Sequence, residues 1–117
     1  MRKICLWVMH VQADDMEACL LCLRHALVFS AMECEVEIYF MGPAVRLLDA
    51  ELPQSAHVWL ESIQEAKREG VRIFACTSAW KKFALPDHLP SAFCEGLAGS
   101  ATYLARAMQA DWRVLIY

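Results

Sequence analysis

Charge is scarce in this chain, and basic residues are in the minority. Only 21% of its 117 residues are charged, and 11 lysines and arginines stand against 14 aspartates and glutamates, which gives a formal net charge of −3. Such a surface has no general attraction for phosphate backbones. The composition therefore argues against a nucleic-acid-binding protein.

Long apolar runs and glycine-rich loops are also missing. No segment approaches the roughly 18 apolar residues that a membrane-spanning helix needs. The apolar run from Ile4 ends by His10 without a small-residue cleavage site, so it predicts a first strand rather than a signal peptide. The sequence has no phosphate-binding glycine motif, no GxSxG and no HExxH, which disfavours classical nucleotide or hydrolase chemistry. We expect a cytoplasmic protein without a membrane partner.

Apolar residues and cysteines are what the chain has in abundance. Hydrophobic residues make up 58% of the sequence, more than a domain of 117 residues can bury. We therefore expect a single domain over residues 1–117, part of whose surface another subunit covers. In the cytosol its cysteines would be mostly reduced, and so would act as core residues, ligands or reactive thiols. The six are Cys5, Cys19, Cys22, Cys34, Cys76 and Cys94.

Strand patterns alternate with helix patterns along the chain. Asp14 or Asp15 can cap the first long helix, with Glu17 completing a capping-box pattern, and Gly70 suits a left-handed helix end. The alternation predicts parallel strands joined by right-handed crossovers, that is, a three-layer α/β sandwich with a mainly parallel, flavodoxin-like sheet. The predicted strands cover 4–9, 35–41, 71–75 (running into Cys76) and 113–117, and the predicted helices cover about 15–32, 44–49, 56–69, 78–83 and 100–109.

In sheets of this kind, binding and catalytic sites form at the carboxyl ends of the strands. Those ends carry His10, the turn at 41–43, Cys76 and Tyr117. One edge of the sheet therefore collects the candidate residues.

Cys76 is the strongest candidate, because it ends a buried strand just before a predicted helix start at Thr77 and Ser78. Free amides at a helix start stabilise a thiolate, and Lys81 and Lys82 would act in the same direction. The alternative is that Cys76 only packs beneath a loop, as many free cysteines do.

Two other cysteines form a CxxC at Cys19 and Cys22. A redox pair needs its first sulfur at the start of a helix, whereas Cys19 lies more than a turn past the cap. Helical spacing also groups both cysteines with Leu23 and Ala26 on one face. We interpret the pair as part of the core.

Two further residues are possible helpers. Cys94, in a loop, could act as a resolving or relay thiol or could be loop filler, and His10 could be a nearby acid or base or a neutral, hydrogen-bonded residue. The histidines and cysteines lack the short paired spacing of a structural zinc site, so we expect no metal and no cofactor.

In order, these features resemble the DsrE/DsrF-like family of small sulfur-relay proteins. The resemblance covers nearly the whole chain and is carried by EIYFMGPAVRLL, by GVRIFAC, and by the alanine-aspartate step (Ala110, Asp111) into the last strand. It implies a three-layer fold assembled as dimers, trimers or hexamers, often with related chains. It also implies that the cysteine matching Cys76 receives sulfane sulfur as a persulfide and passes it to another sulfur-transfer protein.

The chain departs from the family pattern in two places. Pro43 and Ala44 replace an acidic residue and a second glycine after the second strand, and bulky or basic residues follow Cys76 where small ones are usual. Because some family members lack the cysteine and serve only as structural subunits, a non-catalytic assembly subunit is the alternative hypothesis. A small-molecule or metal-binding module that uses the strand-end pocket is a third.

Overall fold

The computed structural model describes residues 2–117 and is built around one five-stranded sheet. All of its strands are parallel, in the spatial order β4-β3-β2-β1-β5. The strands are β1 (Lys3–Val8), β2 (Glu35–Phe40), β3 (Arg72–Cys76), β4 (Gly96–Ala98) and β5 (Trp112–Ile116). The helices are α1 (Met16–Ala31), α2 (His57–Arg68), α3 (Thr77–Phe83) and α4 (Ser100–Ala107), with 3-10 turns at Gly42–Leu48 and Gln54–Ala56. The predicted α/β sandwich with a mainly parallel sheet is confirmed.

One strand was absent from the sequence-based prediction. β4 has only three residues, Gly96–Ala98, and its chain segment lies between a loop and a helix. Three residues are too few to show a period of two, and glycine is a poor strand former. β4 exists because it pairs with β3 from Phe74 to Cys76, which is a tertiary contact.

The start and end of the long helices follow local chemistry. Asp15 caps α1, since its carboxylate accepts the Ala18 N–H at 3.2 Å. The capping box that pairs Asp14 with Glu17 is wrong, because Glu17 lies one position too early relative to the actual cap. Gly70 has the expected left-handed conformation, with a φ of 87°, and ends α2.

The two faces of the sheet are covered unequally. In a strand, alternate side chains point to opposite faces. One face packs against α1 and α2, where Cys19, Cys22 and Leu23 are buried as the helical spacing predicted. The other face lies under α4, a helix of eight residues of which only Tyr103 is buried. Within residues 2–117, no helix combines the length and apolar character needed to cross a membrane.

A buried ion pair fixes α4 to the sheet. Glu37, on β2, is 1% exposed, and its carboxylate accepts hydrogen bonds from the Arg106 guanidinium and from the Tyr103 hydroxyl. The Arg106 guanidinium also lies 4.8 Å from the ring centroids of Tyr103 and Trp112. Removing one partner of such a pair leaves an uncompensated charge in the interior.

We therefore expect Arg106→Met to lower the free energy of unfolding by up to about 3–5 kcal/mol, because the buried Glu37 would keep only the more distant and exposed Arg72 guanidinium, 3.9 Å away, as its cation. Urea denaturation measures this change. The matched control is Lys3→Met, which removes an exposed ion pair with Asp111 and should cost at most about 1 kcal/mol. An Arg106→Met protein as stable as the control would contradict this account of α4.

Candidate functional site

The candidate site lies where β3 runs into α3. Cys76 is both the last residue of β3 and the residue that precedes the first turn of α3. Its backbone is still extended, with φ −67° and ψ 127°, and the helix begins at Thr77. The predicted strand-to-helix junction is thus present, at the carboxyl edge of the sheet.

The thiol of Cys76 has polar neighbours on the sheet itself. Cys76 pairs with Ala98 on β4, and the carbonyl oxygen of Ala98 accepts a hydrogen bond of 2.8 Å from the Tyr39 hydroxyl of β2. Because Cys76 and Ala98 are level on neighbouring strands, this hydroxyl lies close to the Cys76 thiol. Burial, followed by the hydrogen-bonding and charge effects of Cys76, raises the pKa of Tyr39. Cys76 therefore lies next to a hydroxyl group that keeps its proton well above neutral pH.

The thiol is recessed rather than displayed. Cys76 is 7% exposed, and the next turn of chain buries Ala79 and Trp80. A recessed thiol is shielded from indiscriminate oxidants and partners. Sulfur chemistry at Cys76 would require a donor that is small, or a partner chain that presents its sulfur at this edge.

The residues after Cys76 have different exposures. Thr77 is half-buried and Ser78 is exposed, and the side chain of Cys76, in the capping position, makes no capping hydrogen bond. Lys81 and Lys82 lie on the exposed last turn of α3, at the end of the helix away from Cys76. The structure thus places the two lysines at the molecular surface near the site rather than against the thiol.

His10 lies on the same edge but not on the same strand. It follows β1, is exposed, and donates its backbone N–H to the carbonyl oxygen of Tyr117 at 2.8 Å. β2 separates β1 from β3, so His10 and Cys76 are about two strand spacings apart, roughly 10 Å. Both residues lie at the same edge of the sheet. They are too far apart for direct proton transfer, which would need a bridging group.

Cys94 lies at the start of β4, whereas Cys76 pairs with its end. The half-buried thiol of Cys94 donates to the carbonyl oxygen of Gly96 at 3.3 Å. Burial raises the pKa of Cys94, against the opposing effects of backbone hydrogen bonds and of the Lys67 charge. Its sulfur is therefore a weak nucleophile in the resting protein, and it is free rather than joined to another cysteine.

Burial also lowers the reactivity of three core cysteines, because it raises the pKa of their thiols. It raises the pKa of Cys5 and of Cys22 from 9.0 to about 12, and that of Cys19 to about 11. Nearby carboxylates add to the effect at Cys5 and Cys19. Because the thiolate is the reactive form, these three sulfurs are structural at neutral pH.

Residues 3–117, nearly the whole chain, match the DsrE/DsrF-like family. The chain belongs to the DsrE/DsrF-like family. This family is generally associated with sulfur relay.

Solved structures share the fold of this DsrE/DsrF-like chain. The protein of unknown function MTH1491 from Methanobacterium thermoautotrophicum superimposes with a TM-score of 0.73 at 16% identity, and the match covers 100% of both chains. The ychN protein from E. coli gives a TM-score of 0.73 at 18% identity, again over 100% of both chains. At these identities the likeness concerns the fold alone. The comparison with curated proteins found no relative of this chain.

The structure adds residues that the sequence did not indicate. Tyr39 lies in the middle of a strand pattern and reads as a core aromatic, and Ala98 belongs to the strand that the pattern missed. Tyr39 and Ala98 lie near Cys76 because of the order and register of β2, β3 and β4. The signal in the sequence is the carboxyl-edge position of β2, where the turn at 41–43, rather than Tyr39, was the expected contributor to the site.

A second polar group lies away from Cys76. Asp49, Glu51 and His88 bring one ligand atom each within 4.8 Å of one another, a separation that a metal ion could span. In this structure the group is internally paired, with the two ring nitrogens of His88 at 2.7 Å from Asp49 and 3.2 Å from Glu51.

A surface cavity of about 430 Å³ lies at the opposite edge of the sheet and is lined by Arg2, Ile4, Phe29, Met32, Glu33 and Cys34.

The raised thiol pKa values predict a loss of stability in alkali. The folded protein keeps the protons of Cys5 and Cys22 to about pH 12, whereas the unfolded chain releases them near pH 9. Their contribution is therefore complete below pH 9 and is lost as the pH rises toward 12, by up to about 1.4 kcal/mol per pH unit for each thiol.

We expect the free energy of unfolding, measured in urea with a reductant, to fall between pH 9 and pH 11. Cys22→Ala should reduce that fall, whereas Ala26→Gly, a buried truncation on the same face of α1 that removes no thiol, should leave it unchanged. Equal pH dependence in all three proteins would contradict the assignment.

Proposed function

We propose that this DsrE/DsrF-like protein is a sulfur carrier that holds sulfane sulfur as a persulfide on Cys76 and passes it to a partner protein. The observation that carries the proposal is the position of Cys76: it ends a central parallel strand at the carboxyl edge, beside the Tyr39 hydroxyl, in a family associated with sulfur relay. Burial makes Cys5, Cys19, Cys22 and Cys94 poor nucleophiles, which leaves Cys76, at the carboxyl edge, and Cys34, at the turn before β2, as the acceptor candidates.

The transfer is an exchange between sulfurs. The Cys76 thiolate attacks the outer sulfur of a donor persulfide, a new sulfur–sulfur bond forms at Cys76, and the donor's own sulfur–sulfur bond breaks. The donor leaves as a thiolate, and the proton stays with the transferred sulfur, so no external oxidant or reductant is needed. The reverse attack, by a thiolate of the acceptor, returns Cys76 to its starting state.

The surface around the site suits a protein partner. Lys81 and Lys82 are exposed on α3, one and a half turns from the thiol, and would attract an acidic partner surface. Thr77 and Ser78 form the first part of α3, between Cys76 and these two lysines. His10, on the same edge, would assist proton transfer only when donor or acceptor groups bridge the gap. We propose a cytoplasmic location for this exchange.

The proposal predicts uptake of sulfur at one residue. We expect the reduced protein, incubated with polysulfide or with thiosulfate and a rhodanese, to gain the mass of one sulfur atom in intact-mass spectrometry, and a reductant to remove it. Cys76→Ser should abolish the gain, and the matched variant Cys94→Ser should retain it. A gain that survives in Cys76→Ser would refute the carrier role of Cys76.

A non-catalytic assembly subunit is the second candidate, and a specific surface favours it. The exposed residues Leu21 and Val28 lie on α1, and Val28 borders an apolar groove of about 330 Å³. The groove is lined by His25, Val28, Phe29, Leu115 and Tyr117. Apolar patches of this kind mark surfaces that other chains cover. Assembly into homo- or hetero-oligomers is compatible with sulfur transfer, so the two functions differ only in the need for Cys76.

An assembly role predicts that polar substitution at this groove disperses the oligomer. We expect Val28→Asp to lower the mass measured by light scattering after gel filtration, because a charge would be buried against the partner chain. The matched control Gln64→Asp, on the exposed side of α2, should leave the mass unchanged. If Val28→Asp and the wild type have the same mass, the groove is not a subunit contact.

A further inference from the structure

Tyr39 is a buried residue of β2 whose hydroxyl reaches β4, two strands away. The residue lies on β2 and is 0% exposed, and its hydroxyl donates to the carbonyl oxygen of Ala98 on β4 at 2.8 Å. β3 lies between these two strands, so the tyrosine side chain passes over it. The β3 residue paired with Ala98 is Cys76.

The register puts the hydroxyl and the thiol on one face of the sheet. Tyr39 pairs with Phe74, and Cys76 follows Phe74 by two residues, so both side chains point to the face beneath α4. Because Cys76 is level with Ala98, the hydroxyl that reaches the Ala98 carbonyl lies close to the thiol. Burial, and after it the proximity of Cys76, raises the pKa of Tyr39. The tyrosine therefore keeps its proton at physiological pH and is always able to donate a hydrogen bond.

The ring of Tyr39 is held in place. It stacks on the ring of Tyr103 with a centroid distance of 3.9 Å and an interplanar angle of 11°. The Tyr103 hydroxyl is in turn held by Glu37 at 3.1 Å. The aromatic plane therefore has no room to swing, while the O–H bond of Tyr39 can still rotate.

We propose that Tyr39 is the positioning residue of the Cys76 sulfur. When the thiol ionises, the Tyr39 hydroxyl gives up its hydrogen bond to the Ala98 carbonyl and donates a hydrogen bond to the sulfur instead. A hydroxyl has one proton to donate and two lone pairs to accept with. With Cys76 protonated, Tyr39 donates to Ala98 and can accept the S–H. When that proton leaves for solvent, the hydroxyl rotates and donates to the anionic sulfur, which is the stronger bond.

Tyr39 keeps its own proton throughout, so the step exchanges hydrogen bonds and transfers no other atom. The same donor would stabilise a Cys76 persulfide anion. The inference rests on the proposed carrier function for its biological use, but the hydrogen bond itself acts on the resting protein and can be measured without any sulfur donor.

The test is the rate at which iodoacetamide alkylates Cys76 as a function of pH, followed by peptide mass spectrometry so that each cysteine is resolved. We expect Tyr39→Phe to slow alkylation of Cys76 at pH 7 roughly tenfold, the effect of losing one hydrogen bond to a charged group. The whole rate profile should move to higher pH.

The matched control is Tyr103→Phe, which removes a hydroxyl from the other ring of the same stack. Its hydroxyl serves Glu37 rather than Cys76, so the profile of Cys76 should keep the wild-type position. A profile that is unchanged in Tyr39→Phe, or shifted equally in both variants, overturns the proposal.

A second variant guards against misfolding of the phenylalanine protein. Replacing Tyr39 by 3,5-difluorotyrosine keeps the hydroxyl and makes it a stronger donor, so alkylation of Cys76 at pH 7 should become faster than in the wild type. A purely structural role for Tyr39 predicts no acceleration, and the absence of acceleration overturns the proposal.

Sulfur uptake by the wild type separates this inference from the carrier function. If the wild type takes up no sulfur and both Tyr39 variants shift the alkylation profile, the hydrogen bond is supported and the carrier role is refuted. If the wild type takes up sulfur and alkylation is unaffected by Tyr39, the hydrogen bond is refuted and the carrier role is supported.

Discussion

Parallel pairing of β3 between β2 and β4 is the constraint on which the candidate site depends. Parallel strands end at a common edge, and their register decides which side chains stand level on each face. A shift of β2 against β3 by one residue would turn Tyr39 to the opposite face. The same shift would also place the Glu37 carboxylate against α1 and α2, away from Arg106. Register and polar chemistry therefore support each other on the face beneath α4.

The face of the sheet beneath α4 holds the buried Glu37 carboxylate and is covered by only one short helix. α4 contributes the buried Tyr103 and the half-buried Arg106, and Glu37 fixes both. The remainder of the helix is largely exposed, including Leu104 at 56% and Met108 at 87%. A polar cluster under a short helix is a costly arrangement in a small domain, because every member must be satisfied. Here the cluster orders the tyrosine stack that reaches the Cys76 thiol, and so links the stability of α4 to the geometry of the edge.

The cysteines show how position separates chemistry from packing in one residue type. Cys5 and Cys22 occupy opposite faces of the same sheet, and burial leaves both protonated. The CxxC pattern of Cys19 and Cys22 is a consequence of helical spacing on the buried side of α1. Cys76 shares their low exposure but ends a strand, where the chain turns and a hydroxyl approaches. Any sulfur chemistry at Cys76 would depend on these neighbouring groups.

The sequence by itself determined the alternation of strands and helices, the left-handed end of α2 at Gly70, the buried face of α1 and the place of Cys76 at a strand end. These follow from periodicity and from local backbone preferences, which act over a few residues. Only the tertiary structure decided the strand order, the existence of β4, the burial of the Glu37 and Arg106 pair, and the approach of Tyr39 and Ala98 to Cys76. Those features join residues far apart in the chain, and the free energy that fixes them comes from packing and pairing between elements, which no local pattern records.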